Sequence, residues 1–214
     1  MRYLNVNPGQ SPDYIIVGLG NPGFVYENTR QNVGFKAIEY VESRCTRTSG
    51  LKRKFQFSYC DKCLCDGCLV YNVKPNVQMN NAGISVQGFL DYYGLPPERL
   101  IVIYDDVTLP IGQMRFDFTT QDFDHKGIKS IHQYIGKRKF MHIRVGIGDL
   151  PEDMDKIEFL LSHFSDQDEK LLQKVFMFVY KAIYCVFNYG VEHTNKNINN
   201  LPSLTIYENN IRTV

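Results

Sequence analysis

The stretch that decides the fold is Val17-Gly18-Leu19-Gly20-Asn21-Pro22-Gly23, which is followed by Thr29-Arg30-Gln31-Asn32-Val33-Gly34. Residues 14–19 are apolar and mostly β-branched, as is typical of a buried strand that runs into a loop. Asn32 is a candidate N-cap, and the apolar residues at helical spacing after it predict a helix over 32–46. In α/β proteins a strand, a glycine-rich loop and a helix place functional side chains at the carboxyl end of a sheet.

The glycines of this loop also match the Gly-x-Gly-x-x-Gly pattern of dinucleotide-binding proteins, at Gly18, Gly20 and Gly23. In that class of site a pyrophosphate lies at the N-terminus of a helix that begins directly after the glycines. Here Pro22 and the residues between Gly23 and Gln31 delay the helix. The pattern therefore disfavours a dinucleotide site.

Strands and helices are interspersed along the chain, which predicts an α/β fold: a single domain with a mixed twisted sheet surrounded by helices. The length of 214 residues suits one domain with a proper core. The predicted elements are strands at 14–19, 100–106, 112–118 and 141–148, a hairpin at 55–74, and helices at 32–46, 80–93, 126–136, 155–162 and 166–188. We predict an N-terminal extension at 1–13, the domain at 14–200 and a C-terminal tail at 201–214, with fraying after about Asn195.

The formal net charge is only +1, but the basic residues are clustered. No acidic residue lies between His125 and Arg144, where the basic residues are Lys126, Lys129, Lys137, Arg138 and Lys139. A second basic group is Arg47, Lys52, Arg53 and Lys54. Such clusters can neutralise phosphates, or they can be the solvated end of a helix and its loop.

No stretch of the sequence is expected to span a membrane, and residues 1–13 lack the apolar core of a signal peptide. We therefore expect an intracellular protein, either cytoplasmic or organellar, with a mitochondrial location as one case. We also expect a monomer that requires no cofactor.

Four cysteines lie close together, as Cys60-x-x-Cys63-x-Cys65-x-x-Cys68. Thiolates at this spacing can share a tetrahedral zinc ion, but zinc ribbons and fingers have a much longer linker between the two pairs. The same residues fit a β-hairpin with a tight turn at Asp66-Gly67, in which Cys65 and Cys68 face each other. We predict free thiols on a hairpin, with a zinc site as the alternative.

Five separated motifs occur in order along the chain. The first is the stretch quoted above, with Tyr26 inside it. The others are Met79-Asn80-Asn81-Ala82-Gly83, Tyr104-Asp105-Asp106-Val107-x-Leu109-Pro110-x-Gly112, His125-Lys126-Gly127-Ile128-Lys129 and Arg144-Val145-Gly146-Ile147-Gly148. Together they resemble the motifs of the bacterial-type peptidyl-tRNA hydrolases over about residues 14–200, which implies the fold of that family.

The resemblance implies hydrolysis of the ester that joins a peptide to the 3′ end of a tRNA. In that family a histidine activates the attacking water, and an aspartate that matches Asp105 orients the histidine. Asparagines that match Asn21 and Asn80 hold the terminal nucleotide and the peptide carbonyls. In this chain the position of the histidine is held by Gln31. A glutamine can hold a water molecule by hydrogen bonds, but it does not accept a proton from it.

Other positions depart from the family pattern as well. Lys126 stands where the family has an asparagine, residues 119–124 replace a glycine-rich loop, and Asp117 stands where a basic residue is expected. The remaining positions for which the resemblance implies contact with substrate or RNA are Tyr26, His125, Lys129 and Arg144.

The replaced histidine leaves three hypotheses. We favour a peptidyl-tRNA hydrolase fold that binds the acceptor end of tRNA, another RNA or a ribonucleoprotein partner, with hydrolysis impaired or lost. The alternative is an active but slow hydrolase in which Gln31 positions the water and His125 or Asp105 assists. The second alternative is a protein-interaction subunit without RNA binding, which would use the cysteine hairpin and the aromatic residues of the C-terminal helix.

Overall fold

The computed structural model describes residues 11–48, 53–55 and 57–200. The predicted tail at 201–214 lies outside this part of the chain, as does the predicted N-terminal extension except for residues 11–13. The side chains of Lys52, Arg53 and Lys54 from the second basic group also lie outside it.

A mixed sheet forms the centre of the fold. Its strands follow the spatial order β2 (Thr46–Arg47), β4 (Ser58–Cys65), β5 (Cys68–Pro75), β1 (Tyr14–Gly18), β6 (Leu100–Asp106), β8 (Phe140–Gly146) and β7 (Met114–Thr119), and β3 (Arg53–Phe55) pairs with β4 off this path. Strands β5, β1, β6 and β8 are parallel neighbours, whereas β4 and β7 run antiparallel to β5 and β8. The predicted α/β domain with a mixed sheet is confirmed.

Helices pack on both faces of the sheet. In the described part of the chain they are α1 (Val33–Arg44), α2 (Ala82–Tyr93), α3 (Lys126–Ile135), α4 (Lys156–Leu161) and α5 (Asp166–Ile198). Because side chains alternate along a strand, Ile16 and Ile103 join the core formed with α1 and α5, whereas Val17 and Tyr104 join the core formed with α2 and α3. Strand β1 is buried on both faces, which explains its unbroken apolar sequence.

Helix α1 lies very close to the sheet at Gly34. A Cβ added there would lie 2.4 Å from the carbonyl oxygen of Leu19 and 2.5 Å from that of Ile103. Both atoms belong to the backbone, so an added methyl group must push α1 away from the sheet.

We therefore expect Gly34→Ala to lower the free energy of unfolding by about 1–3 kcal/mol, the range for overpacking of a core. Urea denaturation would measure this loss as a lower midpoint at an unchanged slope. A change of less than about 0.5 kcal/mol, the size expected of an ordinary surface substitution, would contradict the close approach.

The cysteine hairpin forms as predicted, with Cys65 opposite Cys68 at the end of β4 and β5. Cys63 and Cys65 belong to the core beside α1 and α5, whereas Cys60 belongs to the core on the other face of the sheet. The four thiols therefore cannot converge on one ion. Within the described residues no three metal-binding side chains come together, so the zinc alternative is not supported.

Helix α5 is longer than predicted. It continues to Ile198 through a kink at Gly190, whose φ is 81°. Beyond the helix, the side chain of Asn199 accepts a hydrogen bond from the backbone N–H of Phe116 at 2.8 Å and donates one to the carbonyl oxygen of Phe116 at 2.7 Å. The prediction that the chain frays after about Asn195 is wrong for residues 195–200, because these hydrogen bonds hold Asn199 against β7; the rest of that segment lies outside the described residues.

Among the described helices, α5 alone is long and apolar enough to cross a membrane by length and composition, although we expected no such stretch. The burial of Leu172, Val175 and Ile183 in the core accounts for this composition. The aromatic residues that we considered as a contact surface for a protein partner are Phe176, Phe178, Tyr180, Tyr184 and Phe187. Phe176 is buried and Tyr184 is exposed, whereas the other three are partly buried, and Tyr180 and Phe187 pack against the core.

Candidate active site

A cavity of about 720 Å³ opens where the parallel strands β1, β5 and β6 reach their carboxyl ends. Asn21 lies in the loop after β1, Asn80 lies in a 3₁₀ turn after β5, and Asp105 lies at the end of β6. Nearly all of the predicted site residues line this cavity: Asn21, Tyr26, Gln31, Asn80, Asp105, His125, Lys126 and Lys129.

Asn32 fixes the loop that carries Asn21. Its Oδ1 accepts a hydrogen bond from the backbone N–H of Asn21 at 2.9 Å, and its Nδ2 donates to the carbonyl oxygen of Asn21 at 3.0 Å. Asn32 precedes α1 as predicted, but its side chain makes no capping hydrogen bond. Its amide acts as a brace between the helix and the loop.

The orientation of the Gln31 amide follows from its neighbours. The Oδ1 atom of Asn21 accepts a hydrogen bond from the backbone N–H of Met79 at 2.7 Å, so the Nδ2 atom of Asn21 is the donor to Oε1 of Gln31 at 3.1 Å. The Nε2 atom of Gln31 is buried and makes no hydrogen bond in the described part of the chain. The amide of Gln31 therefore has an unpaired, buried donor beside the cavity and no group that can take up a proton.

The carboxylate of Asp105 is paired with His125. The Nε2 atom of His125 lies 3.0 Å from Oδ1 of Asp105, and its Nδ1 atom accepts a 3.4 Å hydrogen bond from the backbone N–H of Ile128. The proton of the imidazole therefore lies on Nε2, and this N–H donates a hydrogen bond to Asp105. His125 is the N-cap of α3, and in this geometry neither of its ring nitrogens offers a lone pair to water.

Arg144 does not line the cavity, although the resemblance implied a substrate contact for it. Its Nη1 atom lies 2.6 Å from Oδ2 of Asp106, and its Nε atom lies 3.0 Å from Oδ2 of Asp117. Burial tends to lower the pKa of Arg144, but the bond to Asp106 and the charge of Asp117 outweigh it, and the pKa is raised above its ordinary value. The partly buried guanidinium is thus paired with two carboxylates, those of Asp106 and Asp117.

The basic clusters also lie mostly outside the cavity. Arg138 pairs with Glu98 at 3.5 Å on the surface, and Arg47 pairs with the buried Asp61 at 2.7 Å. The lysines that reach the main cavity are Lys126, Lys129 and Lys156.

Helix α4 supplies a wall of the cavity that sequence reasoning missed. Ile157, Leu160 and Leu161 line the cavity beside Lys156, and the side chain of Ile157 is 59% exposed. The only signal in the sequence is the apolar spacing of residues 157, 160 and 161, which predicts a core-facing helix equally well.

A buried histidine lies beneath the site. The Nδ1 atom of His142 and the hydroxyl of Tyr104 are 2.9 Å apart, and the ring of His142 stacks on Phe140 with centroids 4.1 Å apart. Burial in these surroundings lowers the pKa of His142 from 6.5 to about 3.

This shift predicts a loss of stability in acid. Below pH 6.5 the unfolded chain takes up a proton at His142, whereas the folded chain does so only near pH 3. The free energy of unfolding should therefore decrease as the pH is lowered across this window, by about 1.4 kcal/mol per pH unit from this group alone. Urea denaturation at pH 5 and pH 7 would measure the fall. His142→Phe should remove this pH dependence of the free energy of unfolding, whereas His193→Asn, at an exposed histidine, should keep it. An equal fall in both variants would contradict the assignment to His142.

Comparison with known proteins agrees with this geometry. The family model for peptidyl-tRNA hydrolase matches residues 15–205. The chain is 38% identical over 172 residues to the peptidyl-tRNA hydrolase of Aquifex aeolicus, covering 80% of this chain and 87% of that protein. It is 37% identical over 187 residues to the peptidyl-tRNA hydrolase of Thermotoga petrophila, covering 87% and 97%.

The fold also matches a crystal structure of the peptidyl-tRNA hydrolase from Acinetobacter baumannii, with a TM-score of 0.80. That match covers 91% of this chain and 98% of the other at 24% identity, so it concerns the fold alone. The family model and the two similar sequences establish the relationship: the chain belongs to the peptidyl-tRNA hydrolase family.

Proposed function

We propose that the cavity binds the acceptor end of a peptidyl-tRNA and that the chain cleaves the peptidyl ester slowly. The observation that carries this proposal is the state of the polar groups in the cavity. Gln31 has no proton acceptor to offer, because an amide is not a base near neutral pH, and its Oε1 atom already accepts a hydrogen bond from Asn21. The imidazole of His125 is engaged at both nitrogens, by Asp105 and by the backbone of α3.

Binding is supported by the amides and lysines that converge on the cavity. Asn80 is exposed at the rim, and an amide can both donate to and accept from a nucleotide or a peptide group. Lys126 lies at the same opening, together with Lys129 and Lys156, which share the carboxylate of Asp124; these ammonium groups can neutralise the phosphates of an RNA backbone. A cytoplasmic site of action is in keeping with the bacterial relatives.

Slow cleavage is the expected chemistry of this arrangement. Hydrolysis requires a water molecule to attack the ester carbonyl and to give up a proton; the bond to the 3′ oxygen of the tRNA then breaks, and this oxygen takes up a proton to become a hydroxyl. A positioned general base is worth about 10²- to 10⁴-fold in rate, whereas orientation of the water and the ester contributes without it. Among the acidic side chains that line the cavity, Asp106 is paired with Arg144 and Asp124 with Lys129, so we assign the proton to Asp105.

The test is a comparison with a relative under identical conditions. We expect this chain to bind a peptidyl-tRNA at low salt and to cleave it, in single turnover, about 10²- to 10⁴-fold more slowly than the Thermotoga petrophila enzyme. An equal rate would contradict the impairment, and failure to bind peptidyl-tRNA would contradict the proposed substrate.

A further inference from the structure

A carboxylate lies between two lysines at the mouth of the cavity. The Oδ1 atom of Asp124 accepts a hydrogen bond from Nζ of Lys129, and its Oδ2 atom lies 3.5 Å from Nζ of Lys156. All three residues line the cavity. Asp124 belongs to the loop before α3, Lys129 to α3 and Lys156 to the start of α4, so one side chain bridges three parts of the fold.

The backbone is held in an unfavourable conformation at Phe123, directly before this carboxylate, whereas an aspartate tolerates the same conformation. Phe123 has a φ of 49° and Asp124 a φ of 56°, both in the left-handed region. Two contacts compensate: the ring of Phe123 lies 3.9 Å from the guanidinium carbon of Arg144, and the backbone N–H of Asp124 donates to Oδ1 of Asp122 at 2.9 Å. Strain of this kind persists only where the surroundings enforce it, so the surrounding structure sets the position of Asp124.

The ion pairs of Asp124 with Lys129 and Lys156 are weak enough for another anion to displace the carboxylate. The side chains of Lys129 and Lys156 are 46% and 47% exposed, and that of Asp124 is 73% exposed. Ion pairs at such exposure contribute little, because water and salt screen them. A phosphate group is also negatively charged, and it has more acceptor oxygens than a carboxylate. It can therefore accept hydrogen bonds from two ammonium groups at once.

We propose that Lys129 and Lys156 form a phosphate-binding position at the mouth of the cavity, and that Asp124 occupies this position until a phosphate group displaces it. The inference rests on the proposed function in so far as the phosphate belongs to the backbone of a bound RNA. Free phosphate carries the same chemistry and is the other source. A phosphate held by both lysines would also tie α4, with its apolar wall, to α3.

The experiment compares Asp124→Asn with Asp91→Asn, a variant with the same change in net charge on the exposed surface of α2. Asparagine tolerates the left-handed conformation, so the loop is preserved. At low salt we expect Asp124→Asn to bind deacylated tRNA about two- to fivefold more tightly than wild type. Its affinity should also depend more steeply on salt, by about 0.7 to 0.9 in the slope of log K against log salt, because the wild type releases a carboxylate instead of solution ions.

The lysines provide the reverse test. Lys129→Gln and Lys156→Gln should each make the salt dependence shallower by about one unit, and adding Asp124→Asn to either should have little further effect. Equal affinities and slopes for Asp124→Asn and Asp91→Asn would overturn the inference while leaving the proposed function intact.

Titration with inorganic phosphate, followed by the amide NMR signals of α3 and α4, distinguishes the sources. Shifts that are larger in Asp124→Asn than in Asp91→Asn would assign the position to the phosphate group itself. A response to tRNA alone would assign it to the RNA backbone. If wild type does not bind tRNA, the proposed function is wrong, and the phosphate titration alone decides the inference: no shifts in either variant would overturn it.

Discussion

Gln31→His should raise the single-turnover rate of peptidyl-tRNA hydrolysis by about 10²- to 10⁴-fold. The reason is that an imidazole can accept the proton of the attacking water near neutral pH, whereas the amide of Gln31 cannot. The surrounding groups are in place for it, because Asn21, Asn80 and Asp105 line the same cavity. The measurement is release of the peptide from labelled peptidyl-tRNA with enzyme in excess.

Two further variants make the experiment decisive. Gln31→Asn places another amide in the same position and should bring no gain. His125→Asn should keep the cap of α3, since asparagine is a favourable N-cap, and it frees the carboxylate of Asp105 to orient a new histidine. We expect the double variant Gln31→His/His125→Asn to be at least as fast as Gln31→His. If Gln31→His and the double variant both fold and bind tRNA but hydrolyse the ester no faster than wild type, the missing base does not limit the rate of hydrolysis.

Arg144→Met should lower the free energy of unfolding by about 3–5 kcal/mol, the cost of removing one partner from a buried ion pair. Its first partner, Asp106, is only 7% exposed and would be left as an uncompensated charge. Asp117 would lose its partner as well, and Phe123 would lose the guanidinium that it packs against. Urea denaturation at neutral pH would measure the loss.

A set of related variants separates charge from packing. Arg144→Lys keeps the charge but cannot reach both carboxylates with one planar group, so we expect an intermediate loss. Asp117→Asn should cost less than Arg144→Met, because the side chain of Asp117 is 30% exposed. A loss of less than about 1 kcal/mol for Arg144→Met, the value of a surface pair, would show that the arginine is not a buried structural residue.

The fold was predictable because its signals are local. Residues 14–19 are buried on both faces and therefore show an unbroken apolar run, and the amphipathic helices show their spacing directly. The place of the site was predictable for a related reason. Asn21, Asn80 and Asp105 each follow or end a strand, and parallel strands bring their carboxyl ends to one edge of the sheet.

The partners of these side chains were not predictable. Asp105 and His125 are separated by 20 residues, and nothing in either motif says that they are 3.0 Å apart. Arg144 and Asp117 are diagonal neighbours on β8 and β7, and they meet only because the two strands pair in a register that sets Arg115 opposite Arg144 and His142 opposite Asp117. In the cysteine hairpin, an odd spacing between Cys60 and Cys63 already places them on opposite faces of a strand, a signal that counts against zinc.

The contact of Asn199 with β7 has a consequence for the behaviour of many copies in solution. Strand β7 lies at the edge of the sheet, and an uncovered edge is a template on which the strand of another molecule can pair. The side-chain amide of Asn199 occupies the backbone N–H and C=O groups of Phe116 that such a strand would use. Arg115 donates a hydrogen bond to the carbonyl oxygen of Asn199 at 2.8 Å. Within the described residues, the end of α5 thus blocks the pairing of another strand at Phe116, and we expect a protein shortened before Asn199 to expose this part of the edge.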